Sequence, residues 1–536
     1  MLIKVSYILT VLVLKSSTFD VKVKVKQGII LGLKEMTIFR EKMYYAFYRV
    51  PYAQTPVAKL RFKDSKPIKK WGQPLDATKE YHGACAQEHI VHKHGLYGFE
   101  DCLYLNIYTP HLPKQGNKEF KAVIVWIHGY AFTSSFSHIY GPDFLIENDI
   151  IVVTLTHRIG AFGFLKMNET DLNGNMGLKD IVLALQWIRR NIDQFSGDKK
   201  KITVMASGSA RNDLDEKNRL RAQLKKAGFK DVFNAPTEEI IKATRKLYGK
   251  KDIINTQRPM IPFLPIIEKE SSNSLLTKSV DEIYKSINEE FKLPILIGFT
   301  SQESITEVIP FIHNPHYFKS YLASFTYLVP FLNGCKYKYS SKLYKKISDI
   351  IKKRYFKGDS EENNIEGLLK FVSDLYKYPI YKFIKSRKHL ESKIFVYKFN
   401  YIGKFNAAKA TSLATSKIKI KGAAQGDELC YILRCNPLWE SYVNIKYNKT
   451  DRDTTFIKQI SQMWANFAKF GDPTPFHNLG NFTWLPISPN EDNVFLFDKQ
   501  SRLTHSESEQ KMFEFWDDLY LKYYAPERCM HIKDEL

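Results

Sequence analysis

Three short apolar runs, Val123–Ile127, Ile150–Leu155 and Ile202–Met205, stand out from the mixed polarity around them. Short runs rich in Val and Ile, broken only by Thr154 and Thr203, predict strands buried on both faces. Between the second and third, Gly177–Ile192 carries Leu178, Ile181, Leu185, Ile188 and Ile192 at helical spacing, which predicts an amphipathic helix with those residues turned inward. Strand and helix patterns in alternation predict an α/β fold, a parallel sheet covered by helices on both faces. Lys342–Lys357 repeats the helical spacing with Leu343, Ile347, Ile350 and Ile351, separated by Lys345, Lys346, Lys352, Lys353 and Arg354. That pattern predicts a core-facing stripe with a solvated basic face; a helix lying on a membrane surface is the alternative. With no internal repeat or low-complexity linker inside residues 19–530, one domain is the simpler expectation.

Charge changes this picture little. The net charge of +23 is carried by dispersed lysines, and no nucleic-acid motif accompanies them, so nucleic acid is not an expected partner. No motif implies a cofactor or a metal ion. The ends are more informative. Residues 1–18 place Lys4 before an apolar run from Val5 to Leu14 and then Ser16, Ser17 and Thr18, the order of a secretory signal peptide. Lys533-Asp-Glu-Leu536 is a retrieval address read by the KDEL receptor. Together they predict the lumen of the endoplasmic reticulum. No other run is long and apolar enough to predict a transmembrane anchor. In that oxidising compartment the six cysteines are candidates for disulfides, and Asn168, Asn448 and Asn481 head glycosylation tripeptides. Spacing alone assigns no partners to Cys335, Cys430, Cys435 and Cys529.

A set of motifs in fixed order then narrows the reading. Pro51-Tyr-Ala and Leu60-Arg-Phe are followed by Glu100-Asp-Cys-Leu-Tyr-Leu-Asn-Ile-Tyr-Thr-Pro110. After these come Trp126-Ile-His-Gly, His157-Arg-Ile-Gly, Gly174-Asn-Met-Gly-Leu-Lys-Asp, Trp464-Ala-Asn-Phe-Ala-Lys and Phe515-Trp516. Over residues 28–520 the chain resembles the type-B carboxylesterase/cholinesterase family. The resemblance implies an α/β-hydrolase fold with a long, mostly parallel sheet, a disulfide between Cys85 and Cys102, and a structural ion pair between Glu100 and Arg158.

It also implies where catalysis should sit, and there the chain departs from the pattern. Members place a nucleophilic Ser in G-x-S-x-G at a sharp strand-to-helix turn. Counted from Phe195-Ser-Gly-Asp198, that position falls on Gly208 within Ala206-Ser-Gly-Ser-Ala210. Ser207 and Ser209 flank it, but neighbouring side chains on a tight turn point in different directions, away from a shared base. Gln425, in Gly422-Ala-Ala-Gln-Gly-Asp-Glu-Leu429, occupies the place of the catalytic His. A neutral amide has no basic nitrogen near pH 7. Glu303, in Gly298-Phe-Thr-Ser-Gln-Glu-Ser304, keeps the acid position and is expected to hydrogen-bond Gln425. The oxyanion segment reads His128-Gly-Tyr-Ala-Phe132, with Tyr130 in place of a glycine; Ala131 and Ser209 would supply the other donors. Beyond Ala210 the chain passes through Arg211–Asn218 straight to a later helical segment, so about one helix and one strand of the family pattern are missing. Either the fold closes that gap by another route or the deduced sequence skips a stretch.

These readings predict a lumenal carboxylesterase-like protein without catalysis, binding a hydrophobic small molecule or another lumenal protein. An active carboxylic ester hydrolase on lipophilic esters is the second expectation. Neuroligin-like adhesion is the third, disfavoured by the retrieval signal. A cholinesterase is disfavoured too, since His89–Phe99 holds no Trp to receive a quaternary ammonium.

Overall fold

The computed structural model describes residues 20–524 apart from 81–82, 89–94, 114–118, 137, 168–171, 209–219, 221–223, 227, 230–231, 248–262, 287–291, 314–321, 324, 330–340, 359–360, 389–390, 415, 417, 449, 477–482 and 506. The expectations for the signal peptide, the C-terminal address, Asn168, Ser209, Cys335, Asn481 and Cys529 fall outside the described residues.

A first sheet is built from β1 (Val21–Val25), β2 (Gly28–Met36), β3 (Met43–Pro51), β4 (Tyr104–Thr109), β5 (Lys121–Ile127), β6 (Ile151–Leu155) and β7 (Gly197–Ala206) in the order β1-β2-β3-β4-β6-β5-β7. A second contains β8 (Ile295–Thr300), β9 (Ile394–Phe399), β10 (Asn493–Phe497) and β11 (Arg502–His505) in that order. The helices that matter below are α1 (Met176–Asn191), α2 (Ile305–His313), α3 (Lys342–Tyr355), α4 (Glu361–Lys385), α5 (Arg452–Phe470) and α6 (Glu507–Tyr523).

The three apolar runs are the strands β5, β6 and β7, paired in parallel as expected. Period-two alternation then splits their side chains between two cores. Val123, Val125, Ile151 and Val153 pack against Ala184, Trp187 and Ile188 of α1. Ile124, Trp126 and Val152 face Ile457, Ile460 and Met463 of α5. The same side of α5 continues under the second sheet, where Phe395, Tyr397 and Phe497 join that core.

Three expectations need correction. The sheet is mixed rather than mostly parallel: β1 to β4 and β6 pair antiparallel, as does β11 with β10. Short connections such as the one between β1 and β2 permit only antiparallel neighbours, whereas parallel ones need a crossover. It is also divided, because among the described residues β7 ends the first sheet and β8 begins the second. In α1, Leu178, Ile181 and Leu185 are only half-buried, and the buried stripe is Met176, Asp180, Leu183, Ala184, Trp187, Ile188 and Asn191. Two polar residues belong to it because each has partners inside: Asp180 takes the Arg158 guanidinium, and Asn191 accepts from the Lys26 amide and donates to the Trp187 carbonyl.

α3 takes the core-facing form of its two readings. Tyr344, Ile347, Ile351 and Tyr355 are buried, Leu343 and Ile350 pack beside them, and the lysines stand outward. Cys85 and Cys102 are bonded, and so are Cys430 and Cys435, a pairing that spacing had not assigned. Asn448 is exposed, with the Thr450 hydroxyl donating to its Oδ1 at 2.9 Å. Among the described residues no helix is long and apolar enough to cross a membrane.

Candidate active site

β7 ends at Ala206, and two residues on, Gly208 adopts a φ of +95°. Residues with a Cβ rarely occupy that region. A Cβ built there would lie 3.0 Å from the Gly129 carbonyl oxygen, so the turn presses against the loop that follows β5. That loop is firmly tied. The Tyr130 amide donates to the Ser134 carbonyl at 2.8 Å, and the Ser135 hydroxyl donates to the His128 carbonyl at 2.7 Å. Ala131 and Phe132 hold positive φ values of 49° and 56°, a strained choice for residues other than glycine. The amide at Tyr130, which an oxyanion hole would aim outward, is therefore used within the loop itself. The Tyr130 phenol extends the other way and donates to Oε1 of Glu307 on α2 at 2.8 Å.

The second half of the site grows from β8. Past its last residue the chain turns so that Glu303 folds back, one carboxylate oxygen accepting from the Thr300 amide. The other oxygen accepts from Nε2 of Gln425 at 2.9 Å. Gln425 is carried by a loop fixed to the same turn: the Ala423 amide donates to the Ser301 hydroxyl, and the Gln302 amide to the Ala423 carbonyl. Asp427 holds the loop's other end through the Ala424 amide and the Asn406 side chain.

Thus the structure brings Glu303 and Gln425 into contact, and sets Gly208 against Gly129 and Tyr130. The Tyr130–Glu307 bond joins the two halves, since Glu307 lies one helical turn beyond Glu303. Among the described residues no imidazole hydrogen-bonds the Ser207 hydroxyl. The His128 ring is buried beside Trp126 and Tyr140, and burial first, then His138 and His157, lowers its pKa to about 4. His157 faces the Arg158 carbonyl instead. Among the described residues no cluster of His, Cys, Asp and Glu could hold a metal ion.

The Glu100–Arg158 expectation fails. Glu100 accepts from Arg61 and from the Thr237 hydroxyl, while Arg158 binds Asp180. Asp180 stands in the first turns of α1, next to the chain after β6 that carries Arg158. Glu100 faces the segment around Arg61 instead.

Sequence reasoning passed over Glu428, although the quoted motif contains it. Its carboxyl is buried, Oε2 has no hydrogen-bond partner, and burial aided by the Glu303 charge pushes its pKa up to about 8. Between an unfolded value of about 4.3 and that folded value the native state holds a proton the unfolded chain has released, so stability falls as pH rises through this window. The urea midpoint is expected to drop from pH 5 to pH 8, and Glu428→Gln to flatten the drop. An unchanged slope in the variant would assign it to other groups.

A parallel core β6-β5-β7, a left-handed turn after β7 and an acid after β8 facing the Gln425 loop define the α/β-hydrolase class. Within it the chain belongs to the carboxylesterase family, whose model matches residues 20–210 and 225–516. The break in that match coincides with the missing stretch after Ala210. The chain is 26% identical over 509 residues to juvenile hormone esterase of Tribolium castaneum, covering 85% of this chain and 84% of the relative. It is 27% identical over 526 residues to esterase E4 of Myzus persicae, covering 89% and 91% respectively. Among solved structures, juvenile hormone esterase from Manduca sexta with OTFP covalently attached superposes with a TM-score of 0.76 at 22% identity, over 93% of this chain and 99% of that one.

Proposed function

We propose that this chain is a catalytically silent carboxylesterase-family protein of the endoplasmic reticulum lumen, retained there by its C-terminal address and acting by binding. The observation that carries the reading is the Gln425 amide donating to Glu303, in the position where a hydrolase needs an imidazole oriented by that acid. Gly208 brings no hydroxyl to the turn. Losing the Ser or the His of a serine hydrolase costs about 10⁶ in kcat, and losing both costs little more, because the two act as a unit. That corresponds to about 8 kcal/mol of barrier. Its ligand would be a hydrophobic small molecule or another lumenal protein.

A fluorophosphonate probe tests this directly, since it labels a serine only where a base activates the hydroxyl. Purified protein is expected to take up no label and to hydrolyse p-nitrophenyl butyrate about 10⁶-fold more slowly than an intact serine hydrolase does. Stoichiometric labelling of Ser207 or Ser209 would establish the competing reading, an active carboxylic ester hydrolase. That alternative is supported by the relatives, a juvenile hormone esterase and esterase E4 among them. Neuroligin-like adhesion would need the chain at the cell surface, and staining of intact cells is expected to be negative.

A further inference from the structure

The first sheet stops at β7 and the second starts at β8, at the point where a single continuous sheet would pass through. Among the described residues β7 pairs with β5 only, and β8 with β9 only. The two free edges share one floor, because Met205 of β7 and Leu296 of β8 pack against the core cluster that contains Ile460, Met463 and Trp464 of α5.

They also run in the same direction. The Lys469 ammonium near the end of α5 donates to the Asn148 carbonyl just before β6, and a Cβ on Gly471 would meet Pro294, just before β8, at 3.0 Å. The parallel strands of both sheets therefore begin at one end of α5. At their far ends the Tyr130–Glu307 hydrogen bond spans the divide.

The walls of this gap are apolar, with Ile202 and Val204 on one side and Ile295 and Ile297 on the other; Val204 remains 50% exposed. Unpaired apolar edges are templates for a further strand. At the start of β7 stand Lys199, Lys200 and Lys201, all exposed. Lys199 pairs with Asp193, while Lys200 and Lys201 have no ion pair among the described residues.

We propose that the gap between β7 and β8 is a strand-acceptor site, which takes an extended peptide of a partner protein lying parallel to β7. Its apolar run would match the six residues of β8. Because strands inside a parallel sheet are buried on both faces, that run should be continuous Val and Ile rather than alternating. Its N-terminal end would lie beside Lys200 and Lys201 and should carry acidic residues. Main-chain pairing to both edges would hold it, as in other strand-addition complexes. The site does not depend on the silence of the catalytic position, for an active hydrolase with this division would present the same edges.

The test uses the full chain and a fluorescein-labelled peptide, Asp-Glu-Val-Ile-Val-Ile-Val-Ile, followed by anisotropy and thermal melting. The peptide is expected to bind saturably and to raise Tm. Methylating either set of alternate backbone nitrogens should remove one edge's hydrogen bonds and weaken binding by about tenfold or more. Val204→Asp should act likewise, with an unchanged circular dichroism spectrum showing that the fold survives. Reversing Lys200 and Lys201 to Glu should weaken binding by about tenfold at low salt and less at high salt.

Equal binding of parent and methylated peptides, or none by the parent, would overturn the proposal. So would a dimer in sedimentation that Val204→Asp disperses, which would make a second copy the occupant. Intact mass showing extra residues between Ala206 and Lys225 of the natural chain would overturn it as well, since the chain would then fill the gap itself.

Discussion

Placing serine at Gly208 and histidine at Gln425 together is expected to create esterase activity that neither substitution creates alone. A nucleophile without a base, or a base without a nucleophile, leaves the same residual rate. The scaffold for the base is already assembled. Gln425 Nε2 sits 2.9 Å from Glu303, so an imidazole in its place can donate to that carboxylate through one ring nitrogen and leave the other to act as the base. Burial, the largest influence, raises the pKa of Glu303, and a neighbouring imidazolium would favour its charged form. The nucleophile fits less easily. Its Cβ would press on the Gly129 carbonyl at 3.0 Å, and the +95° φ must relax toward the ordinary left-handed range. The oxyanion donor stays compromised, because the Tyr130 amide is held by Ser134. One lost donor of this kind costs about 10² to 10³ in kcat. We therefore expect weak turnover and fluorophosphonate labelling in the double variant, and a further gain of about 10²-fold when Tyr130→Gly frees the loop. If Gly208→Ser alone reached the rate of the double variant, a base other than residue 425 would be acting, and the reading of Gln425 would be wrong.

Much of this architecture was open to sequence reasoning for a simple reason. β5 and β6 are buried on both faces, so apart from the buried Thr154 their inner residues are apolar on both sides of the strand. The contact between Gln425 and Glu303 was accessible because both lie within recognisable motifs. Other features depend on tertiary contacts that no local pattern encodes. The register of α1 was misjudged because Asp180 and Asn191 are buried, and a hydrophobic stripe discounts polar residues even when partners await them inside. Arg158 and Glu100 were matched to each other through the family resemblance alone, whereas each has a different partner in the fold, Asp180 and Arg61. The Tyr130–Glu307 bond joins residues 177 positions apart. The missing stretch after Ala210 could be counted in the sequence, but only the strand order revealed that it parts one sheet into two.

Removing the carboxylate of Asp180 is expected to be the most destabilising single change among the ion pairs. The Arg158 side chain is 3% exposed and that of Asp180 is 0% exposed, so neither charge can recover water if its partner goes. Asp180 accepts from the Arg158 amide, Nε and Nη2 at 3.1, 2.8 and 2.7 Å, while Nη1 is spent on the Lys63 carbonyl. Asp180→Ala leaves a buried guanidinium without its counter-charge, a loss of about 3 to 5 kcal/mol. At about 2.1 cal/mol/K of unfolding entropy per residue, that lowers Tm by roughly 4 °C in a domain of this size. The second half of the test is the double variant Arg158→Met with Asp180→Leu. It removes both charges and keeps apolar volume, so it should be milder than Asp180→Ala, as apolar replacements of buried pairs commonly are. The pair also sets the approach of α1 to the strands, because a Cβ on Gly177 would fall 2.3 Å from the Arg158 carbonyl. A double variant as damaged as the single one would therefore show that the loss comes from this local backbone geometry rather than from the stranded charge.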